Sequence, residues 1–80
     1  MKHAPIKQRD LFKVLRRYDV DIDTSRGKGS HIMLRRIVNG QSRSFPLPDR
    51  DEYNNSYVAG LRRRFALTEV DGIADAEFFS

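Results

Sequence analysis

The sequence contains no cysteine and no tryptophan, and only two of its 80 residues are histidine. Without cysteine there are no disulfides, thiolate nucleophiles or cysteine-ligated zinc sites, so no oxidising compartment is needed and we expect a cytoplasmic protein. No run of about 18 apolar residues occurs, and charged residues follow residues 1–5, so neither a membrane span nor a signal peptide is expected. Side chains that transfer protons near neutral pH are therefore confined to His3 and His31.

Acidic residues are outnumbered, and the formal net charge is +4. Eleven of the fifteen basic residues are arginine, whose forked guanidinium binds phosphate or carboxylate through two hydrogen bonds. This balance favours an anionic partner, either a nucleic acid or an acidic protein. Eighty residues suffice for one modest core, so we predict a single domain over residues 1–80.

Helical spacing of apolar residues predicts two helices. The first covers residues 5–18, with Pro5 in its opening turn. The second follows a capping residue within positions 54–56 and runs to about Ala66. Gly60 lies inside this second helix, and we expect it there because the helix packs closely against a sheet.

Alternation of apolar and polar residues predicts three strands, the first over residues 19–24 and the second over 31–38. Asn39-Gly40 suits a two-residue hairpin turn, which fixes the register with the third strand. The expected pairs are Val38 with Gln41, Leu34 with Phe45, and Ile32 with Leu47. Prolines 46 and 48 then fall at positions whose amides point away from the second strand, so the third strand is expected at a sheet edge.

The order helix, strand, strand, strand, helix predicts an α+β fold. We expect a three-stranded antiparallel meander with both helices packed on one face. Thr68 and Asp71 have the spacing of a capping box, and residues 75–79 are expected to form a short extra C-terminal turn or helix whose aromatic rings cover the core.

The tripeptide Gly29-Ser30-His31 is the best candidate for chemistry, because it places an imidazole where a basic turn enters a strand. The predicted register directs His31 away from the helices, on the same face as Arg35. Arg26 and Lys28 precede it in the turn and are candidates for binding phosphate together with the backbone around Gly29 and Ser30. An ordinary flexible turn is about equally consistent with the same residues.

These features resemble the HicA-type mRNA interferase toxins, whose fold is like that of the double-stranded RNA-binding domain. The resemblance covers most of the chain and rests on the order of elements, on Gly29-Ser30-His31, on the strand end at residues 46–48, and on Leu61-Arg62-Arg63 in the closing helix. The chain differs from the family at Asp49, where a second histidine often follows the proline, and in its longer C-terminal tail.

The resemblance implies that this is the toxin of a type II toxin–antitoxin system. It implies an endoribonuclease that cleaves mRNA, with His31 as the catalytic residue and a HicB-type antitoxin protein as the inhibitor. RNA contacts are then expected from Arg26, Lys28, Gly29, Ser30 and Arg35. No metal and no cofactor are expected, because the RNA supplies its own 2′-hydroxyl nucleophile and no close spacing of metal ligands occurs.

Two other functions fit the sequence. One is a non-catalytic RNA-binding module with the same fold, in which the arginines bind phosphates and His31 has no chemical role. The other is a small protein-interaction domain. The triplet Arg62-Arg63-Arg64 is expected to be a solvated helix face, with contact to nucleic acid or antitoxin as the alternative. The three tyrosines are expected at the rim of the core rather than as base-stacking platforms.

Overall fold

The computed structural model describes residues 4–24 and 31–80, which form an α+β fold. Its helices are α1 (Gln8–Arg17), α2 (Asn55–Arg64) and α3 (Asp75–Phe78), with a short 3-10 helix at Glu69–Asp71. Its strands are β1 (Ile6–Lys7), β2 (Asp21–Asp23), β3 (His31–Val38), β4 (Gln41–Pro48) and β5 (Glu52–Tyr53).

Strands β2, β3 and β4 form an antiparallel sheet in that order. All three predicted pairs are present: Val38 with Gln41, Leu34 with Phe45, and Ile32 with Leu47. Asn39 and Gly40 have φ angles of 52° and 80°, as a two-residue hairpin turn with both central residues in the left-handed region requires. The meander and its outer third strand are therefore confirmed.

The core lies between one face of this sheet and the two long helices. Leu34 and Leu47 of the sheet are fully buried together with Leu11 and Leu15 of α1 and Leu61 of α2. The opposite face of the sheet carries no helix in the described part of the chain. There the alternate residues His31, Arg35 and Ile37 of β3 are exposed, and Met33 is half-buried.

The predicted start of the first helix is wrong. Pro5 lies outside α1, which begins at Gln8, because residues 6 and 7 form β1 and pair with β5. The backbone N–H of Gln8 then donates to the Asp51 carbonyl at 2.9 Å, which continues the connection into the helix. Two-residue strands carry too little periodicity to be read from sequence.

The first predicted strand also begins too early, and the reason lies at the end of α1. Asp19 has a φ of 62° and closes the helix, with the Val20 N–H donating to the Leu15 carbonyl at 3.0 Å. This is a Schellman ending, usually made with glycine. Helix α2 ends in the same way, because Ala66 has a φ of 56° and the Leu67 N–H donates to the Arg62 carbonyl at 2.8 Å.

Helix α2 is capped by Asn54, whose side chain accepts a hydrogen bond from the Tyr57 N–H at 2.9 Å. The expected close packing of Gly60 is not observed. A Cβ atom added there would meet only the Arg63 Nη2 atom, at an ordinary 3.9 Å. The capping box of Thr68 and Asp71 is confirmed, as is the C-terminal helix that buries Phe78.

Candidate active site

His31 is the first residue of β3, and its side chain is exposed on the face of the sheet that carries no helix. No described residue forms a hydrogen bond or ion pair with its imidazole. Both ring nitrogens are thus available, within the described part of the chain, to accept or donate a proton. The predicted direction of this side chain is confirmed.

Pro48 lies directly opposite His31 on β4, and Pro46 lies opposite Met33. Arg35, two residues beyond Met33 on β3, lies between Ser44 on β4 and Asp21 on β2. His31 and Arg35 share the open face but are four residues apart, which is about 13 Å along a strand. Arg35 is therefore placed to contact a neighbouring phosphate rather than the group that reacts at His31.

The predicted turn residues Arg26, Lys28, Gly29 and Ser30 lie outside the described residues. In the sequence they lie directly before His31, which is the first residue of β3. Asp23, which is not among the predicted site residues, lies opposite Met33 and shares the open face with His31 as a diagonal neighbour. Such neighbours have Cα atoms about 7–8 Å apart.

The strand end that faces His31 is fixed by Tyr53. Its hydroxyl donates to the Pro48 carbonyl at 2.6 Å and accepts from the Arg50 N–H and from Gln8 Nε2, both at 3.3 Å. Gln8 Nε2 also donates to Asp49 Oδ1 at 2.8 Å. The ring of Tyr53 is buried within the core and not at its rim, where it was predicted, so a buried side chain holds the backbone opposite the candidate catalytic residue.

The expectation of a solvated arginine triplet is wrong at Arg62. This side chain is buried, because its guanidinium donates to the Leu67 carbonyl at 2.8 Å and to the Ile73 carbonyl at 2.9 Å, and forms an ion pair with Asp75 at 2.7 Å. The cause is the segment after α2, which folds back over the helix. Arg63 and Arg64 remain exposed.

Several arginine side chains stabilise the fold through hydrogen bonds as well as adding charge to the surface. Of the ten described arginines, five donate from their guanidinium groups to backbone carbonyls: Arg17, Arg36, Arg43, Arg62 and Arg64. Arg36 donates to the Tyr18 and Phe65 carbonyls, both at 2.8 Å, and so caps the ends of α1 and α2 together. These arginines keep their positive charge, so the arginine count alone does not separate those that stabilise the fold from those that face a partner.

Among residues 4–24 and 31–80, no group of three or more histidine and acidic side chains could hold a metal ion. Within the same ranges, no helix combines the length and hydropathy needed to cross a membrane. No protein-family model, curated protein or solved structure matches the sequence.

Proposed function

We propose that this chain is a metal-independent endoribonuclease that cleaves mRNA, with His31 as its catalytic residue. The observation that supports the proposal is the exposed imidazole of His31, which begins β3 on the open face of the sheet. The order of helix, antiparallel meander and helix supports it too, because that order is expected of the HicA-type fold, which is like the double-stranded RNA-binding domain.

The chemistry requires one group that transfers protons and several that stabilise charge. His31 takes the proton from the ribose 2′-hydroxyl, or gives a proton to the 5′-oxygen as it leaves, while the 2′-oxygen bonds to phosphorus and the P–O5′ bond breaks. Arg26, Lys28 and the amides of Gly29 and Ser30 stabilise the added negative charge on the phosphorane oxygens. Arg35 binds a flanking phosphate.

The partner proposed for this toxin is a HicB-type antitoxin. A protein that covers the open face of the sheet prevents RNA from reaching His31. Expression of the chain alone is expected to arrest growth, and co-expression of the product of an adjacent small reading frame is expected to restore it. Continued arrest in the presence of that product argues against the pairing.

The decisive test is cleavage of a labelled mRNA by purified His31→Ala, with His3→Ala as the matched control because it removes the other histidine. We expect His31→Ala to abolish cleavage and preserve folding, measured by circular dichroism, while His3→Ala cleaves at the wild-type rate in the presence of a chelator. Full cleavage by His31→Ala contradicts the proposal.

One observation favours a non-catalytic RNA-binding module as the second candidate. No described residue orients the imidazole through a hydrogen bond, whereas catalytic histidines are commonly held by one. Under this candidate, wild-type protein binds RNA with a strong salt dependence and leaves it intact on a denaturing gel. His31→Ala then binds RNA as tightly as the wild type.

A further inference from the structure

Arg43 on β4 and Arg64 at the end of α2 hold each other in place. The Arg43 Nη1 atom donates to the Arg64 carbonyl at 2.9 Å, and the Arg64 Nε atom donates to the Ser44 carbonyl at 3.1 Å. Each of these bonds uses one N–H group of the guanidinium. The remaining donors of both guanidiniums are left for another ligand, at a partly exposed strand edge.

The positive charge of this pair is not cancelled locally. No acidic side chain of the described residues forms an ion pair with Arg43 or Arg64. Hydrogen bonds from the Thr68 side chain and backbone are the largest causes that lower the pKa of Asp71, and the charges of Arg36 and Arg43 contribute less. The Asp71 Oδ2 atom is engaged by both of those Thr68 groups. Two prearranged guanidiniums thus remain available to an anion.

The pair continues into cationic and aromatic side chains beside the outer edge of β4, on the helix-bearing side of the sheet and so on the opposite face from His31. Phe45 follows Ser44 on the strand. Its ring lies edge-on to the Tyr57 ring, with the two ring centroids 5.9 Å apart. The Arg50 guanidinium lies over Tyr57, 5.7 Å from the ring centroid. Arg50 is two residues beyond Pro48, which faces His31. Five residues of strand separate Arg43 from Pro48, about 16 Å.

We propose that Arg43, Arg64, Arg50 and Tyr57 form an RNA-binding edge, which holds the phosphates of an RNA strand that leaves the nucleotide at His31 and crosses the outer edge of β4 beside Pro48. The proposal rests on the proposed ribonuclease function, since it names a second substrate contact for the same site. A linear polymer with regularly repeated phosphates matches a line of forked cations over about 16 Å. The Arg50 guanidinium, which lies over the half-buried Tyr57 ring, presents a flat cation on which an unpaired base stacks, and this favours single-stranded RNA over an acidic protein.

The outer edge of β4 is poorly suited to pairing with another strand. Pro46 and Pro48 have no N–H to offer, the Arg64 guanidinium occupies the Ser44 carbonyl, and the Tyr53 hydroxyl occupies the Pro48 carbonyl. Strand addition is therefore blocked along much of β4. The edge still presents positively charged side chains, and these favour a polyanionic ligand.

The test measures binding of a fluorescent single-stranded RNA at several salt concentrations in a His31→Ala background, which prevents cleavage. In Arg43→Gln/Arg64→Gln we expect the slope of log K against log salt to become shallower by about 1.4, because each lost phosphate contact on a single strand removes about 0.7. The matched control is Arg9→Gln/Arg16→Gln, which removes the same charge from the exposed side of α1. Its slope is expected to stay at the parent value.

Arg43 and Arg64 also support the fold, so two further variants keep the proposal falsifiable. Arg43→Lys/Arg64→Lys keeps both charges and is expected to restore the salt slope. Arg50→Gln removes a guanidinium that makes no hydrogen bond to a described residue, and we expect it to reduce the slope by about 0.7. Only a small change in thermal unfolding is expected, because the contact with the Tyr57 ring is the one interaction lost among the described residues.

Failure of this proposal is distinguishable from failure of the proposed function. An RNA that wild type cleaves, but that Arg43→Gln/Arg64→Gln binds with the parent slope, overturns the RNA-binding edge alone. Equal slope changes in the α1 control overturn it as well, because they indicate attraction to net charge. If wild type binds RNA through this edge without cleaving it, the edge stands and the catalytic proposal fails.

Discussion

The guanidinium of Arg62 lies over the ring of Phe78, 4.5 Å from its centroid. Arg62 belongs to α2 and Phe78 to α3, so this contact fastens the C-terminal segment onto the body of the fold. Hydrogen bonds from the same guanidinium to the Leu67 and Ile73 carbonyls hold the intervening chain. One arginine therefore connects three successive parts of the last third of the sequence.

Arg62→Ala is expected to lower the free energy of unfolding by about 3 kcal/mol, because two backbone carbonyls lose their donor and a buried cation–π contact is lost. Urea unfolding monitored by circular dichroism measures the change. Arg63→Ala is the control, since Arg63 is its exposed neighbour, and its effect is expected within about 0.5 kcal/mol. Equal effects of the two variants contradict the structural role of Arg62.

The contrast between Arg62 and the hairpin shows which parts of the fold the sequence could predict. Asn39-Gly40 and the alternation beside it are local signals, so the register and the outward direction of His31 followed from them. The burial of Arg62 depends on a segment that returns after Leu67, and a run of three arginines carries no sign of that return. The hydrogen bond from the Tyr53 hydroxyl to the Pro48 carbonyl could not be predicted for a related reason. The buried position of Tyr53 depends on its pairing with Ile6, which is distant in the sequence.

Gly60→Ala is expected to stabilise the protein by about 0.5–1 kcal/mol, because alanine loses less backbone entropy in a helix and the added methyl meets no close neighbour. Chemical denaturation compares the variant with the wild type. A loss of stability would mean that α2 approaches another part of the chain more closely than the 3.9 Å contact with Arg63 indicates.

Ala66→Gly is expected to stabilise the protein by up to about 1 kcal/mol, because Ala66 has a φ of 56°, where a Cβ atom is strained and glycine is not. Asp19→Gly addresses the equivalent position after α1, at a φ of 62°. We expect it to gain less, since aspartate tolerates the left-handed region better than alanine does. Thermal unfolding of the two variants tests the order, and a larger gain for Asp19→Gly would contradict it.

Acid is expected to weaken the turn after α2 through Asp71. Hydrogen bonds from the Thr68 side chain and backbone lower the pKa of Asp71 in the folded state. The unfolded chain therefore binds this proton more readily, so the stabilisation is complete above the unfolded pKa and is lost as the pH falls through the folded one. Asp71→Asn should flatten the dependence of unfolding free energy on pH as the pH falls below the ordinary pKa of aspartate, which chemical denaturation at a series of pH values measures.

Tyr53→Phe tests whether the strand end opposite His31 must be held for cleavage. The Tyr53 hydroxyl is the donor to the Pro48 carbonyl, so its removal is expected to cost about 1–2 kcal/mol and to loosen the backbone that faces His31. Tyr18→Phe is the matched control, because the Tyr18 hydroxyl forms no hydrogen bond with a described residue and lies outside the proposed RNA contacts. At a temperature where both variants are fully folded, we expect slower RNA cleavage by Tyr53→Phe alone. Equal cleavage rates would show that His31 acts without a fixed strand opposite it, and would limit Tyr53 to a role in stability.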